Sequence, residues 1–334
     1  MRDAELPLIT AVIPTRGRAE LVVRAVRSAL CQTYAEVEVV VVVDGPDEST
    51  VHTLRALDEP RLLVIALAKN VGGSEARNIG IRAARGSWIA LLDDDDEWLP
   101  EKLSKQMANS VKARHCLVTC LRIERRPGQA DMIAPRRLLR AGEDVSEYMF
   151  YAKEGSKIIC GPQTSGFLAT KELFLNVPFS NGLKCHQDWD WYLRAMHDSE
   201  TVSFMVDEPL YIMNVEPAWP RMTEAARWEI SLDWVDSRKH LFTKRAYTSF
   251  LINDCMYRCE ITRGRLRVFQ KLLEACRTMG DLHADDLLAA VKWYFFRPSL
   301  RVALRGLTRC IRAVTSAGDM NRTQGQPAPR EVEG

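Results

Sequence analysis

Four aspartates in a row, Asp93, Asp94, Asp95 and Asp96, follow five apolar residues, Trp88 to Leu92. Carboxylates held this close repel by about 1 to 4 kcal/mol per pair, depending on the effective dielectric. A hard divalent cation reverses that repulsion, and oxygen ligands suit Mg2+ or Mn2+. Magnesium keeps waters and phosphates instead of a full protein cage, so a few carboxylates imply a substrate, such as a diphosphate, that completes the shell. The competing reading is a solvated acidic turn ahead of the helix that starts near Pro100, where Asp and Glu are favoured anyway. Asp96 and Glu97 fit that second role.

A second cluster is "KNVGGSEARNIG", residues 69–80. Gly72 and Gly73 let backbone approach a ligand closely. Ser74 is a natural N-cap, and the helix start behind it can face phosphate. Arg77, one turn in, can present a charged fork to an anion. A plain turn with Arg77 in solvent is the alternative. The stretch is not GxxxxGK[ST], and no GxGxxG follows the first strand, which argues against Walker-type ATPases and dinucleotide dehydrogenases.

The elements that must position these groups alternate. "LITAVIP" (8–14), "VEVVVVVD" (37–44), "RLLVIAL" (61–67) and "SWIALLD" (87–93) read as strands, with helical spacing over 18–31, 50–57 and 74–84 between them. The near-continuous β-branched second run marks a strand buried on both faces. Strand alternating with helix predicts a parallel α/β sheet with helices on its faces. Ligands of such sheets bind at the carboxyl ends of the strands. There stand Pro14-Thr15-Arg16-Gly17-Arg18, then Asp44-Gly45, the glycine loop and the aspartates. Farther on, 116–124 should be a strand, 125–144 a loop, 164–174 a short strand passing into a helix, and 202–213 one or two short strands around Pro209. From about residue 217 the pattern is helical over 223–245, 247–262, 265–279 and 283–295. Residues 315–334 carry few apolar groups and read as a disordered tail.

The composition is that of an ordinary globular protein: 334 residues, 46% hydrophobic, 27% charged, net charge +2. Nothing in the overall charge argues for nucleic acid. Nine scattered cysteines include no CxxC pair. The CxxxC pairs Cys116/Cys120 and Cys255/Cys259 read as reduced packing residues and not metal ligands. No signal peptide and no run of about 20 apolar residues is present, so the expectation is a soluble cytoplasmic protein.

"AVIPTRGRAELVVRAVRSALCQTYAEVEVVVVVDGPDEST", "NVGGSEARNIGI" and "WIALLDDDDEWLPEKL", in that order and spacing, resemble the family-2 glycosyltransferases. The likeness is strong over roughly 7–110 and weaker to about 213. It implies a GT-A-type, Rossmann-like open and mostly parallel sheet over 1–216, with a nucleotide-sugar half to about 110 and an acceptor half after it. A helical C-terminal region, 217–314, follows. It further implies that Pro14, Thr15, Arg16 and Asp44 hold the nucleotide, with Asp44 accepting from an imide N–H of uracil or thymine. Gly72 and Arg77 would lie by the nucleotide. The DxD motif would fall on Asp93-Asp94-Asp95, with Asp95 ligating Mg2+ or Mn2+, Asp93 facing ribose and donor sugar, and Asp94 between them; a frame of Asp94-x-Asp96 fits Trp98 and Pro100 less well. The family's Glu-Asp dipeptide corresponds to Gln187-Asp188, which makes Asp188 the general base and leaves the acceptor role of the missing Glu open. Asp190 and Arg194 are the second choices, with a plain pairing of the two, four residues apart, as the alternative. Trp98, Gln187 and Trp189 are acceptor candidates, with core or rim packing as the alternative for both tryptophans. His186 and His197 read as structural residues before ligand contacts.

The implied activity is inverting transfer of a sugar from a UDP- or dTDP-linked donor to a glycan or lipid-linked hydroxyl in cell-surface polysaccharide synthesis. A sugar-phosphate nucleotidyltransferase would want a glycine-rich loop with lysine after the first strand, which "PTRGR" lacks. A degenerate binding protein has only Gln187 in its favour. Residues 292–314 combine five arginines on one helical stripe with displaced leucines. They read either as an interfacial helix on the inner face of the membrane or as a terminal helix packed on the catalytic domain.

Overall fold

The computed structural model of the chain describes residues 6–151, 161–215, 228–255 and 265–279. The expectations for 283–295, 292–314 and 315–334 lie outside these residues. Strands β1 (Ile9–Thr15), β2 (Val37–Val43), β3 (Leu62–Ala66) and β4 (Trp88–Leu91) are parallel, in the order β3-β2-β1-β4. Every residue of β2 is buried, as its β-branched run requires. Its one charge, Glu38, is taken up by Thr10 and Arg85. Helices α1 (Ala19–Leu30), α2 (Glu48–Arg55) and α3 (Gly73–Ala83) make the crossovers.

The sheet continues past β4 through β8 (Leu168–Thr170), β6 (His115–Arg125), β9 (Thr201–Asn214) and β5 (Glu97–Trp98), while β7 (Met132–Ala134) pairs with β6 alone. Because β8 is antiparallel to both β4 and β6, strands β6 and β9 run in the same direction as β1–β4. Their carboxyl ends therefore open on the same side. Around them lie α4 (Lys102–Ala108), α5 (Val145–Phe150), α6 (Lys171–Asn176) and α7 (Gln187–His197).

Three expectations are corrected. Residues 202–213 lie in one long strand of 14 residues and not in one or two short ones; Pro209 is accommodated at a register shift opposite Leu121, where a missing N–H costs the ladder least. The expected 125–144 loop contains β7 and so forms a hairpin with β6. The helical stretch after 223 is broken into α8 (Trp228–Ser237), a 3-10 turn (Lys239–Leu241), α9 (Lys244–Phe250) and a π turn (Leu251–Cys255), before α10 (Arg265–Met279). Thr243 restarts the chain as a helix by accepting from the Ala246 N–H.

Alternate residues of β1 and β4 feed two apolar cores on opposite faces of the sheet. Ala11, Ile13, Ala90 and Leu92 pack beneath α1 and α4. Val12, Ile89 and Leu91 join a second core with α5, α6 and α7. Trp228, Trp234, Phe250 and Leu272 of the C-terminal helices belong to that second core and form no core of their own. Cys116 and Cys120 are buried packing residues. Among the described residues no helix is long and apolar enough to cross a membrane.

Candidate functional site

The four aspartates do not point together. A tight turn, closed by the Asp96 N–H on the Asp93 carbonyl, splays them. Asp94 turns inward and accepts from Thr15 Oγ1 (2.7 Å) and Arg18 Nη1 (2.9 Å). Asp96 is buried and accepts from Ser165 Oγ (2.6 Å), which itself accepts from the Asp93 N–H. Asp93 and Asp95 remain at the surface of the crevice, their side chains 32% and 25% exposed. Arg77 reaches Asp93 (2.5 Å) and Arg18 reaches Asp95 (3.2 Å). Two guanidinium groups thus offset the repulsion that the sequence imposes. Burial pushes the Asp94 carboxyl up to about 6, opposed by Arg18, with the Asp95 charge adding to the rise.

This donor set fits a hard cation in one way. Among the described residues no group of three or more His, Cys, Asp or Glu could hold a metal. Two outward carboxylates, Asp93 and Asp95, suit magnesium-type binding, in which one or two carboxylates are completed by substrate phosphates. They do not suit a closed protein cage.

Asp44, just past β2, is buried and gathers the loop before α3. Its Oδ1 accepts from the Val71 N–H (2.7 Å); its Oδ2 accepts from Asn70 Nδ2 (2.7 Å) and the Gly72 N–H (3.0 Å). A carboxylate offers about four lone-pair sites, so one stays open. Gly72 sits at φ +88°, a conformation that favours glycine, and is itself the N-cap of α3. That corrects the reading of Ser74 as the cap: it lies inside the first turn, with Oγ buried and unpartnered. Pro14 is half-buried at the end of β1, and Arg16 beyond it is exposed.

Across the crevice, α7 begins at Gln187. Arg77 spans the gap, donating from Nη1 to Gln187 Oε1 (3.0 Å) and from Nη2 to Asp93. Asp188 follows, half-buried, and its Oδ1 accepts from the Trp189 N–H (2.9 Å). Burial raises the Asp188 carboxyl to about 6; the Asp93 charge adds to this and Arg77 opposes it. A carboxyl so tuned takes a proton near neutral pH.

Asp190 has another job. Fully buried, it accepts from Ser180 Oγ, Arg194 Nε, Trp234 Nε1 and Arg238 Nε at 2.6 to 3.2 Å. Its carboxyl is held below the usual range by Arg194, Ser180 and Arg238, against the effect of burial. With its lone pairs filled it has no capacity to accept a substrate proton, so the second choice for the base falls. Trp98 is also corrected: it is 4% exposed, with its indole N–H on the Ser165 carbonyl and Lys102 Nζ 4.3 Å from its ring, so it cannot stack on an acceptor. Trp189 is stacked on His186 (4.8 Å, 12°) within an aromatic cluster that includes Phe150, Trp234 and Phe250.

His186 is structural. It is buried at φ +60°, and its Nε2 shares a hydrogen bond with Ser231 Oγ of α8 (2.9 Å). His197 bonds only the Leu193 carbonyl one turn back. Three site neighbours carried little signal in the sequence. Arg18 was within reach as part of "PTRGR"; Ser165 and Asn214, which donates to the Asp95 carbonyl (3.1 Å), were not, because only the fold brings them to the turn.

Residues 10–168 match the model of glycosyl transferase family 2. The succinoglycan biosynthesis protein ExoO of Rhizobium meliloti is 44% identical over 109 residues, 33% of this chain and 31% of that protein. WfaP of Escherichia coli, named a UDP-Glc:alpha-D-GlcNAc-diphosphoundecaprenol beta-1,3-glucosyltransferase, is 29% identical over 102 residues, 30% of this chain and 41% of that one. The match thus spans less than half the length of either relative. Two solved structures share the fold. TarS residues 1–349 of S. aureus, in complex with UDP-GlcNAc, aligns with a TM-score of 0.58 at 16% identity, over 82% of this chain and 84% of that one. The mannosyltransferase PcManGT of Pyrobaculum calidifontis, in complex with GDP-Man and Mn2+, gives 0.55 at 17%, over 96% and 88%. Over residues 10–168 the chain is similar to glycosyl transferase family 2, and it shares a GT-A-type fold with these solved structures.

Proposed function

We propose that this chain is an inverting, metal-dependent glycosyltransferase that moves a sugar from a UDP- or dTDP-linked donor to a hydroxyl of a glycan or lipid-linked acceptor. The observation that carries the reading is the placement of Asp188, a carboxyl raised to about 6, across Arg77 from the outward pair Asp93 and Asp95. Thr15 and Arg18 brace the acidic turn, and the open lone pair of Asp44 is left for the imide N–H of the base. Asp95, with Asp93 beside it, would hold Mg2+ or Mn2+. When bound, the cation supplies positive charge against the departing diphosphate.

Asp188 takes the proton of the acceptor hydroxyl. The freed oxygen pair forms a bond to the anomeric carbon from the face opposite the nucleotide. The bond from that carbon to the diphosphate breaks, and its electron pair leaves with the nucleoside diphosphate. Configuration inverts because attack and departure are on opposite faces. Arg77 supplies a fixed positive charge beside the leaving group. The names of ExoO and WfaP support a setting in cell-surface polysaccharide synthesis, and the latter's name supports a lipid-linked acceptor.

The test is release of nucleoside diphosphate from a panel of nucleotide sugars, with and without Mn2+, by the chain and by Asp188→Asn. Metal-dependent release lost in the variant is expected. Pyrophosphate release from a nucleoside triphosphate and a sugar phosphate would instead identify a nucleotidyltransferase, and binding without turnover a degenerate relative.

A further inference from the structure

The two outward carboxylates are anchored differently. Asp93 is steadied at its own N–H, which donates to Ser165 Oγ. Asp95 is held at its backbone carbonyl. That oxygen accepts from Arg24 Nη2 (2.8 Å) and from Asn214 Nδ2 (3.1 Å). A carbonyl oxygen has two lone pairs, and two donors suffice to fill them. One donor stands in the second turn of α1 and the other is the last residue of β9. They lie 71 and 119 positions from Asp95 in the chain, so only the fold brings them to this atom.

Glu97 aims both donors. Its Oε1 accepts from Asn214 Nδ2 (3.1 Å) and lies 3.4 Å from Arg24 Nε. Because Asn214 meets two acceptors, its amide turns nitrogen and not oxygen toward the acidic turn. Glu97 is placed by β5, which pairs with β9 at Ile212, two residues before Asn214. Asn214 is buried and Arg24 half-buried, so water competes little for these bonds. The bond from the guanidinium is also charge-assisted.

These contacts bear on the direction of the Asp95 carboxylate. Fixing the carbonyl fixes the peptide plane that follows Asp95, and the backbone decides which side-chain rotamers are open. On the carboxylate itself, Arg18 Nη1 reaches Oδ2 at 3.2 Å, farther than the 2.9 Å of its bond to Asp94. A ligand that must meet a cation in one direction is best set by groups around it before the cation arrives.

We propose that Arg24 and Asn214 are positioning residues for Asp95: through its main-chain carbonyl they hold its carboxylate ready for a divalent cation that arrives with a nucleoside diphosphate. The inference rests on the reading of Asp95 as a metal ligand given above, and it deepens that reading. Neither side chain is assigned to the cation or the nucleotide; each acts through Asp95.

The test is calorimetric titration of UDP, without metal and at one fixed Mn2+ concentration, into the full chain, Asn214→Ala and Arg24→Met. Tyr34→Phe is the control. It loses a hydrogen bond to the Pro7 carbonyl (2.7 Å), at the end of β1 away from the crevice. In the wild type Mn2+ should tighten UDP by about tenfold or more, and in each variant by about threefold or less, while metal-free UDP affinity stays within about twofold. Tyr34→Phe should keep the wild-type ratio whatever it does to the thermal midpoint. A purely structural role would move both affinities together and leave their ratio alone. Should Asn214→Ala fail to fold, Arg24→Met decides alone. Either folded variant that keeps the full metal effect overturns the proposal and leaves the metal reading standing. Equal weakening with and without Mn2+ overturns it too, as does a ratio that falls in Tyr34→Phe. A wild type indifferent to Mn2+ sinks the metal reading, and this proposal with it.

Discussion

On the donor side of the crevice, Thr15, Arg18, Asp44 and the acidic turn each come directly off a strand end or the turn after it. On the base side, Asp188 rides on the first turn of α7, which is held by residues 44 to 48 positions farther along. In the first region each group is placed by the strand end it follows, and neighbouring strands bring Thr15 and Arg18 onto Asp94; in the second, a helix is clamped by side chains of α8 and the residue after it. Their carboxylates differ accordingly. Asp94 and Asp188 are pushed up to about 6 by burial, while Asp190, two residues from Asp188, is held down by Arg194, Ser180 and Arg238. Neighbouring aspartates of one helix thus lie in opposite settings; in the proposed function the first exchanges a proton, and the second stays ionised in its ring of donors.

The largest expected effect breaks the base side without breaking its clamp. Asp188→Asn should lower kcat by about 100- to 10,000-fold, with donor affinity nearly unchanged, as a steady-state transfer assay would read. Its thermal midpoint near neutral pH should not fall, because the charged form it removes is disfavoured by burial. Next, Asp95→Ala should weaken metal-dependent turnover on the order of 100-fold while leaving the fold intact by circular dichroism.

A smaller effect strikes the clamp. Arg238→Met leaves Asp190 with Arg194 as its one cationic partner. Because Arg238 is partly exposed, the loss should be about 1 to 3 kcal/mol of stability, measured by denaturant unfolding, with kcat falling alongside it. A mutation of the same chemistry on the donor side, Arg18→Met, should lower donor affinity more than stability.

The fold, and the gathering of Thr15, Asp44 and Asp93 at one end of the sheet, were legible because parallel strands bring whatever follows each apolar run to the same edge. "VEVVVVV" and "WIALL" announce buried strands, and Asp44 and Asp93 simply follow them. The clamp was not legible. Nothing in the spacing of Asp190 and Arg238 ties them, and only the packing of α8 on α7 does so. Spacing did leave Asp190 open as a base, and only the count of its donors closes that option. Trp98 misled for a similar reason: an aromatic beside an acidic turn suggests a sugar platform, whereas the β5–β9 pairing carries it into the core. Ser74 misled because Gly72, at positive φ, takes the cap position first.

The smallest effects are those of pH. Asp188 must be ionised to accept a proton, so kcat/KM should rise as pH climbs through about 6 and then level off. Stability should carry both signs. Asp94 and Asp188 keep protons that the unfolded chain releases from about pH 4, so what they contribute is lost as pH rises from there through about 6. Asp190 behaves oppositely: its contribution is present above the ordinary carboxylate range and disappears as pH falls below it. Arg238→Met should weaken the acid-side dependence, because Arg194 and Ser180 still hold Asp190, and Asp188→Asn should reduce the other.

Calorimetric titration of UDP into the chain, with and without Mn2+, tests the acidic turn most directly. The account predicts binding at least tenfold tighter with the metal, and a metal effect that vanishes in Asp95→Ala. Equal affinity in both conditions, or a metal effect that survives the substitution, would contradict it.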